Sequence, residues 1–168
     1  MGVIRGKICH EFPVEAPASV VWQSYRGLEL SRLVNELMPH LVGTAEVVEG
    51  DGSAGTIVKL IFPPGTPGIG YLKGVFRIMD DEKRVRESDV FEGGYLHLGF
   101  DRYTIRIEIV DDDVHMHRSI VRSTVKYELK DDSKAHLLSQ LSIQMHITIA
   151  HVVGDYIVND RKKLTHPS

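Results

Sequence analysis

The sequence predicts an α+β fold: a seven-stranded curved antiparallel sheet wrapped around one long C-terminal helix, with two short helices inserted after the first strand. Three patterns carry this expectation. From about Asp132 to Asp160, Leu138, Leu141, Met145, Ile149, Val152 and Tyr156 recur every three or four residues, which places them on one stripe of a helix. Such a helix runs roughly 40 Å and needs a wide partner. Between Thr44 and Lys130 the chain reads as strands separated by regular turn signals, and the first residues alternate as a strand does. An all-helical bundle is a poor alternative, because so little else is helical. The 168 residues suffice for a single domain, 1–168, with one core.

Residues 3–14 place Ile4, Ile8, His10 and Phe12 on one side and Arg5, Lys7 and Glu11 on the other, with Cys9 on the outward parity. Pro17 stands where a helix can start, Val20, Val21, Ser24 and Tyr25 follow at helical spacing, and Gly27 is a natural stop. Leu30, Leu33, Val34 and Leu37 form a second short helix that Pro39 ends. Trp22, Tyr25 and Phe12 are expected in the core. Residues 45–48 and 56–62 flank the glycine-rich turn 49–55, and the proline-rich run 63–68 makes the next loop. Tyr71 to Met79 and Val85 to Phe91 form a hairpin around Asp80–Lys83, and Glu92-Gly-Gly turns the chain again. Two long strands follow, Tyr95 to Val110 and His115 to Leu129. Asp131, Asp132 and Ser133 supply capping chemistry for the final helix, and Lys162 and Lys163 suit the negative end of its dipole.

Composition removes several classes of function. The net charge of −3 argues against nucleic-acid or anionic-membrane binding driven by bulk charge. No apolar run approaches membrane-spanning length, so no membrane insertion is expected. Cys9 is the sole cysteine, so no internal disulfide forms. The first residues lack the apolar core of a secretory signal and the Ser or Thr of a myristoylation site, which points to the cytoplasm. The glycine-rich turn lacks the Gly-Lys-Ser/Thr ending of a phosphate loop and precedes a strand, so it reads as a tight hairpin. His115 and His117 share one side of a strand, but spacing places no third ligand, and no metal is expected. His146 and His151 fall on different helix faces and are expected in solvent.

Strand parity supplies the main functional hint. Tyr103, Ile105, Ile107 and Ile109 alternate with Thr104, Arg106 and Glu108, and Val121 and Val125 with Arg122 and Lys126. The charged sets face water and the others face the helix. Continuing the parity puts Tyr95, His97 and Asp101 on the inner face, and His115 and His117 with them. Polar groups there either find partners or line a wet cavity. A cavity lined by Tyr95, His97, Tyr103, Val121 and Met145 is the expectation. His97 is either a proton shuttle or a pocket histidine bonded to Tyr or Ser. Arg86 can bind a carboxylate or phenolate, or pair with Asp101 or Glu92, and the structural pair is preferred.

The segment 49–56, the loop Phe62-Pro-Pro-Gly65 and the run Glu92-Gly-Gly-Tyr-Leu-His-Leu-Gly99 resemble the Bet v 1 superfamily of plant proteins, and most of all its norcoclaurine and norbelladine synthase branch. Residues 71–76 and 103–109 are particularly similar to the norbelladine enzymes, and the resemblance covers nearly the whole chain. It implies a large apolar cavity between sheet and final helix, a hydrophobic small molecule as partner, no metal or organic cofactor, and a monomer or weak homodimer. It adds Tyr71, Phe76, Arg86 and Ile105 to the ligand-binding candidates and Tyr71 to the catalytic ones, beside His97 and Asp101, which the strand parity supplies. The branch's glutamate is matched by Gly74, its lysine by Arg86 and the norcoclaurine enzymes' aspartate by Ile105. A guanidinium stays protonated and cannot exchange protons as a condensation requires. Two classes of function therefore stand: a carrier or sensor of hydrophobic metabolites in plant defence or specialised metabolism, and a cofactor-independent enzyme of condensation, cyclisation or isomerisation.

Overall fold

The computed structural model describes residues 2–66 and 68–165. Seven strands form one antiparallel sheet: β1 (Ile4–Val14), β2 (Thr44–Glu49), β3 (Ile57–Ile61), β4 (Tyr71–Asp80), β5 (Val85–Gly93), β6 (Arg102–Asp111) and β7 (Ser119–Leu129). Their order, β1-β7-β6-β5-β4-β3-β2, is a meander from β2 to β7 with β1 returned to pair with β7. Helices α1 (Ala18–Tyr25) and α2 (Glu29–Leu37) carry the chain from one edge of the sheet to the other. Register shifts between Lys73 and Gly74, and between Phe76 and Ile78, interrupt the β4–β5 ladder. Such bulges bend a strand and increase local twist. The sheet curves, and α4 (Gln144–Thr165) lies in its concave face.

The core follows from the alternation. Val14, Val21, Trp22, Tyr25, Leu33, Ile107, Ile109, Val121, Ile149, Val153 and Ile157 pack together between sheet and helices. Arg106 pairs with Glu87 and Glu108, and Arg122 with Glu11 and Glu108, on the outer face, as the parity of β6 and β7 requires. Gly154 sits where a Cβ would meet the Phe12 ring at 2.9 Å, so the missing side chain lets the helix approach β1.

Three expectations need correction. The final helix does not begin near Asp132. Asp131 caps the amide of Ser133 and a 3₁₀ helix follows over Asp132–Gln140. The chain is extended at Leu141 before α4 starts at Gln144. Leu141 and Ile143 pack in a separate cluster with Tyr103 and Tyr95, which holds the break open. The buried face of α4 is consequently His146, Ile149, Ala150, Val153 and Ile157, one residue round from the expected stripe. Met145, Val152 and Tyr156 flank it, half-buried.

Residues Gly94–Leu98 form a short helix, α3, where a strand was expected. Gly93 and Gly94 take φ of 73° and 53°. A side chain at Gly93 would collide with the Tyr71 carbonyl, so this left-handed turn suits glycine and diverts the chain from β5. The strand inner face therefore does not extend to His97 or Asp101. Finally, His115 and His117 lie exposed in the loop before β7 and not on its inner face. Asp112 accepts hydrogen bonds from the amides of Val114 and His115, making a turn there.

Candidate functional site

Between the sheet and α4 lies a cavity in two chambers that share Leu72, Val90 and His146 in their walls. The outer chamber measures about 560 Å³. Its walls are the loop residues Phe62 and Ile69, Leu72 of β4, Tyr95 and Leu98 of α3, Tyr103 of β6 and Met145 of α4. The inner chamber is smaller, about 130 Å³, and is bounded by Gly74 and Phe76 of β4, Arg86 and Ser88 of β5, Ile105 and Ile107 of β6, and Ile149 of α4. The period-2 alternation of strands explains the wall: Leu72, Gly74 and Phe76 point in together, as do Arg86, Ser88 and Val90. Another groove, of about 640 Å³, lies outside between α1, α2 and the glycine-rich turn. It is polar, and there Asp81 accepts hydrogen bonds from Trp22 and Arg26.

Tyr95 organises the outer chamber. Its hydroxyl donates to the Gln140 carbonyl at 3.1 Å and accepts from the Ser142 amide at 2.8 Å, tying α3 to the segment that precedes α4. Its ring stacks on Tyr103 at 4.9 Å. Burial pushes the phenol of Tyr103 well above its ordinary range, and the neighbouring Tyr95 adds to this. Both phenols therefore stay neutral.

Arg86 is the single formally charged residue among the described walls of either chamber. It is 6% exposed. Its Nη1 donates to the carbonyls of Tyr25 and, at 3.3 Å, Gly27, where α1 ends. Its guanidinium lies over the Phe76 ring, 4.6 Å from the centroid. Burial pulls its pKa down to about 10, so it remains a cation at neutral pH. The structural pairing with Asp101 or Glu92 is not made. Glu92 is bound by Tyr71 and Lys73, and Asp101 by the Lys130 amide and Lys134.

His146 was expected in solvent and is instead 4% exposed, at the junction of the chambers. Neither ring nitrogen has a hydrogen-bond partner among the described residues. Burial lowers its pKa to about 4, so the imidazole is neutral at physiological pH. A neutral imidazole offers one donor and one acceptor to whatever enters. The signal for it in the sequence was the phase of α4, which the missing helical start obscured.

The other expected residues divide cleanly. Phe76, Arg86 and Ile105 line the inner chamber, and Tyr95, Tyr103 and Met145 the outer. Val121 is buried in the core and reaches neither. His97 is exposed on α3 and Asp101 is exposed at the start of β6, because the chain leaves the sheet between them. Tyr71 has the outward parity of β4. Its hydroxyl donates to Glu92 at 2.8 Å and Lys59 lies over its ring, so Leu72 takes the inward place. Cys9 is exposed, as its parity predicts. Among the described residues no group of three His, Cys, Asp or Glu side chains is arranged to hold a metal. No helix of the described residues is long and apolar enough to cross a membrane.

A seven-stranded antiparallel sheet closed by a C-terminal helix, with a two-chambered cavity between them, defines the fold class. Residues 3–160 match the Pathogenesis-related protein Bet v 1 family, and the chain belongs to that family. It is 40% identical to norbelladine synthase of Narcissus pseudonarcissus over 133 residues, covering 79% of this chain and 80% of that one. It is 28% identical to S-norcoclaurine synthase 2 of Papaver somniferum over 160 residues, 95% of this chain and 68% of that one. The norcoclaurine synthase of Thalictrum flavum, solved in complex with dopamine and hydroxybenzaldehyde, superposes with a TM-score of 0.82 at 25% identity, over 94% of this chain and 89% of that one. Gly74, Arg86 and Ile105 all line the inner chamber.

Proposed function

We propose that the chain binds hydrophobic aromatic metabolites in the cavity between sheet and α4, as a carrier or sensor in plant defence or specialised metabolism. The observation that carries this reading is the outer chamber, walled by Leu72, Val90, Tyr95, Tyr103 and Met145 and large enough for a two-ring molecule. Burying an aromatic group of about 150 Å² yields about 4 kcal/mol, and a two-ring ligand about 8 kcal/mol, before association costs. Titration with the neutral fluorescent probe N-phenyl-1-naphthylamine tests the reading: saturable one-site binding is expected, and no enhancement up to probe solubility would overturn it.

A second reading is an alkaloid-forming condensation, favoured by the 40% identity to a norbelladine synthase and by the dopamine and hydroxybenzaldehyde held by a structural relative. His146 adds a neutral base at the chamber junction. Against it, Arg86 stays protonated and His146, its pKa lowered to about 4, stays neutral, so neither of these described residues of the inner chamber both gives and takes a proton near neutrality. Incubation with dopamine or tyramine and an aromatic aldehyde, read by chromatography, separates the two. Little or no product is expected, and robust turnover would make the enzyme the leading reading.

A further inference from the structure

The inner chamber presents an arrangement that general ligand binding leaves unexplained. A guanidinium is costly to remove from water, and buried ones are paired with carboxylates or with several acceptors. Arg86 has no carboxylate within ion-pair distance among the described residues, and its hydrogen bonds to the Tyr25 and Gly27 carbonyls both leave from Nη1. The edge formed by Nε and Nη2 is the side-on fork that matches a carboxylate with two parallel hydrogen bonds. No acidic residue appears on the described wall of either chamber. Phe76 covers one face of the guanidinium, and His146, with neither nitrogen engaged, stands at the entrance from the outer chamber. The inner chamber, at about 130 Å³, has room for a carboxylate and the few carbons that attach it to a larger body.

We propose that Arg86 is the counter-ion for the ligand's carboxylate, so that the cavity selects arylalkyl carboxylic acids, acid end inward and aromatic end between Tyr103, Leu72 and Met145. This rests on the cavity reading above. The cation is used for recognition, in the place where the synthases' lysine is matched. The neutral imidazole of His146 donates to or accepts from the same acid or its first polar substituent, and contributes no charge.

The test is displacement of N-phenyl-1-naphthylamine from the full chain by 2-naphthylacetate, 2-naphthylacetamide and 2-naphthylethanol, which share one aromatic body. Wild type should bind the carboxylate at least tenfold more tightly than the amide or the alcohol. Arg86→Gln should erase that preference, read as the ratio of the three competitors' affinities within the variant, and Arg86→Lys should retain part of it. Equal affinity of the three competitors, or tighter binding of the alcohol, overturns the carboxylate assignment and leaves the cavity reading standing. Failure of wild type to bind the probe at all overturns both. Should Arg86→Gln not fold, the competitor series on wild type still decides the matter. A preference that survives in Arg86→Gln assigns the acid to another group and overturns the proposal.

Discussion

Replacing His146 with leucine should flatten the acid limb of the stability profile. Burial lowers the pKa of this imidazole from its ordinary 6.5 to about 4 in the folded chain. Above pH 6.5 the group is neutral folded and unfolded, and proton binding contributes nothing to the difference. As the pH falls from 6.5 towards 4 the unfolded chain takes up a proton that the folded chain refuses, so stability is lost through that window and the loss levels off below it. The gap between the two values corresponds to about 3 kcal/mol at full extent, and about 2 kcal/mol of it is realised by pH 4.5. Carboxylates such as Asp89 and Asp101, also held below their ordinary range, destabilise wild type and variant alike and cancel in the comparison. Urea unfolding at pH 7.0, 6.0, 5.0 and 4.5, followed by Trp22 fluorescence, gives the two curves. The wild-type disadvantage should grow by about 2 kcal/mol across the series. Parallel curves would refute the reasoning, because they would mean that His146 is solvated or partnered in the folded chain.

Probe binding should be unchanged within twofold by His97→Ala, Asp101→Asn and Cys9→Ser, since all three side chains are exposed and outside the cavity wall; fluorescence titration of each variant checks it. The double change Gly74→Glu, Arg86→Lys should raise dopamine–aldehyde condensation over wild type, because a Cβ at Gly74 meets the Asp89 carbonyl oxygen at an ordinary 3.5 Å and Gly74 already lines the inner chamber; chromatography of the product reads it. Gly154→Ala should destabilise by about 1–2 kcal/mol, as the Phe12 clash exceeds the helix-propensity gain of about 1 kcal/mol, and a thermal melt shows the sign.

The sheet was legible from sequence because long strands with one wet face leave a period-2 record: Arg102, Arg106 and Glu108 share one parity of β6, and Arg122, Lys126 and Glu128 one parity of β7. The departures have local causes. Tyr95-Leu-His-Leu alternates as a strand would, and a helix as short as Gly94–Leu98 has no room to show a 3.6-residue period; only the adjacent Gly93-Gly94 pair, with its left-handed backbone, marks the change. His97 followed that error out of the site. On the final helix, a stripe counted through Leu138 and Leu141 fixes the wrong phase, because the chain is extended at Leu141 and the helix restarts at Gln144. Counting from Gln144 brings His146 inward. An apolar-stripe rule cannot choose a histidine for the inside, so this residue became visible only with the packing. Tyr71 and Leu72 differ by one place of strand parity, and the β3–β4 pairing that puts Tyr71 outward is a long-range fact. Arg86 stands out in the sequence, but the absence of an acidic partner for it among the described residues depends on where Glu92 and Asp101 fold.

The central claim is that ligands enter the space between the sheet and α4, and a backbone amide shift map of the full chain titrated with N-phenyl-1-naphthylamine tests it most directly. The account predicts that the largest changes fall on Leu72, Val90, Tyr95, Tyr103, Met145 and His146, which share that cavity. Changes confined to the outer groove of Arg26, Gly52 and Asp81, with the cavity residues unmoved, would contradict it.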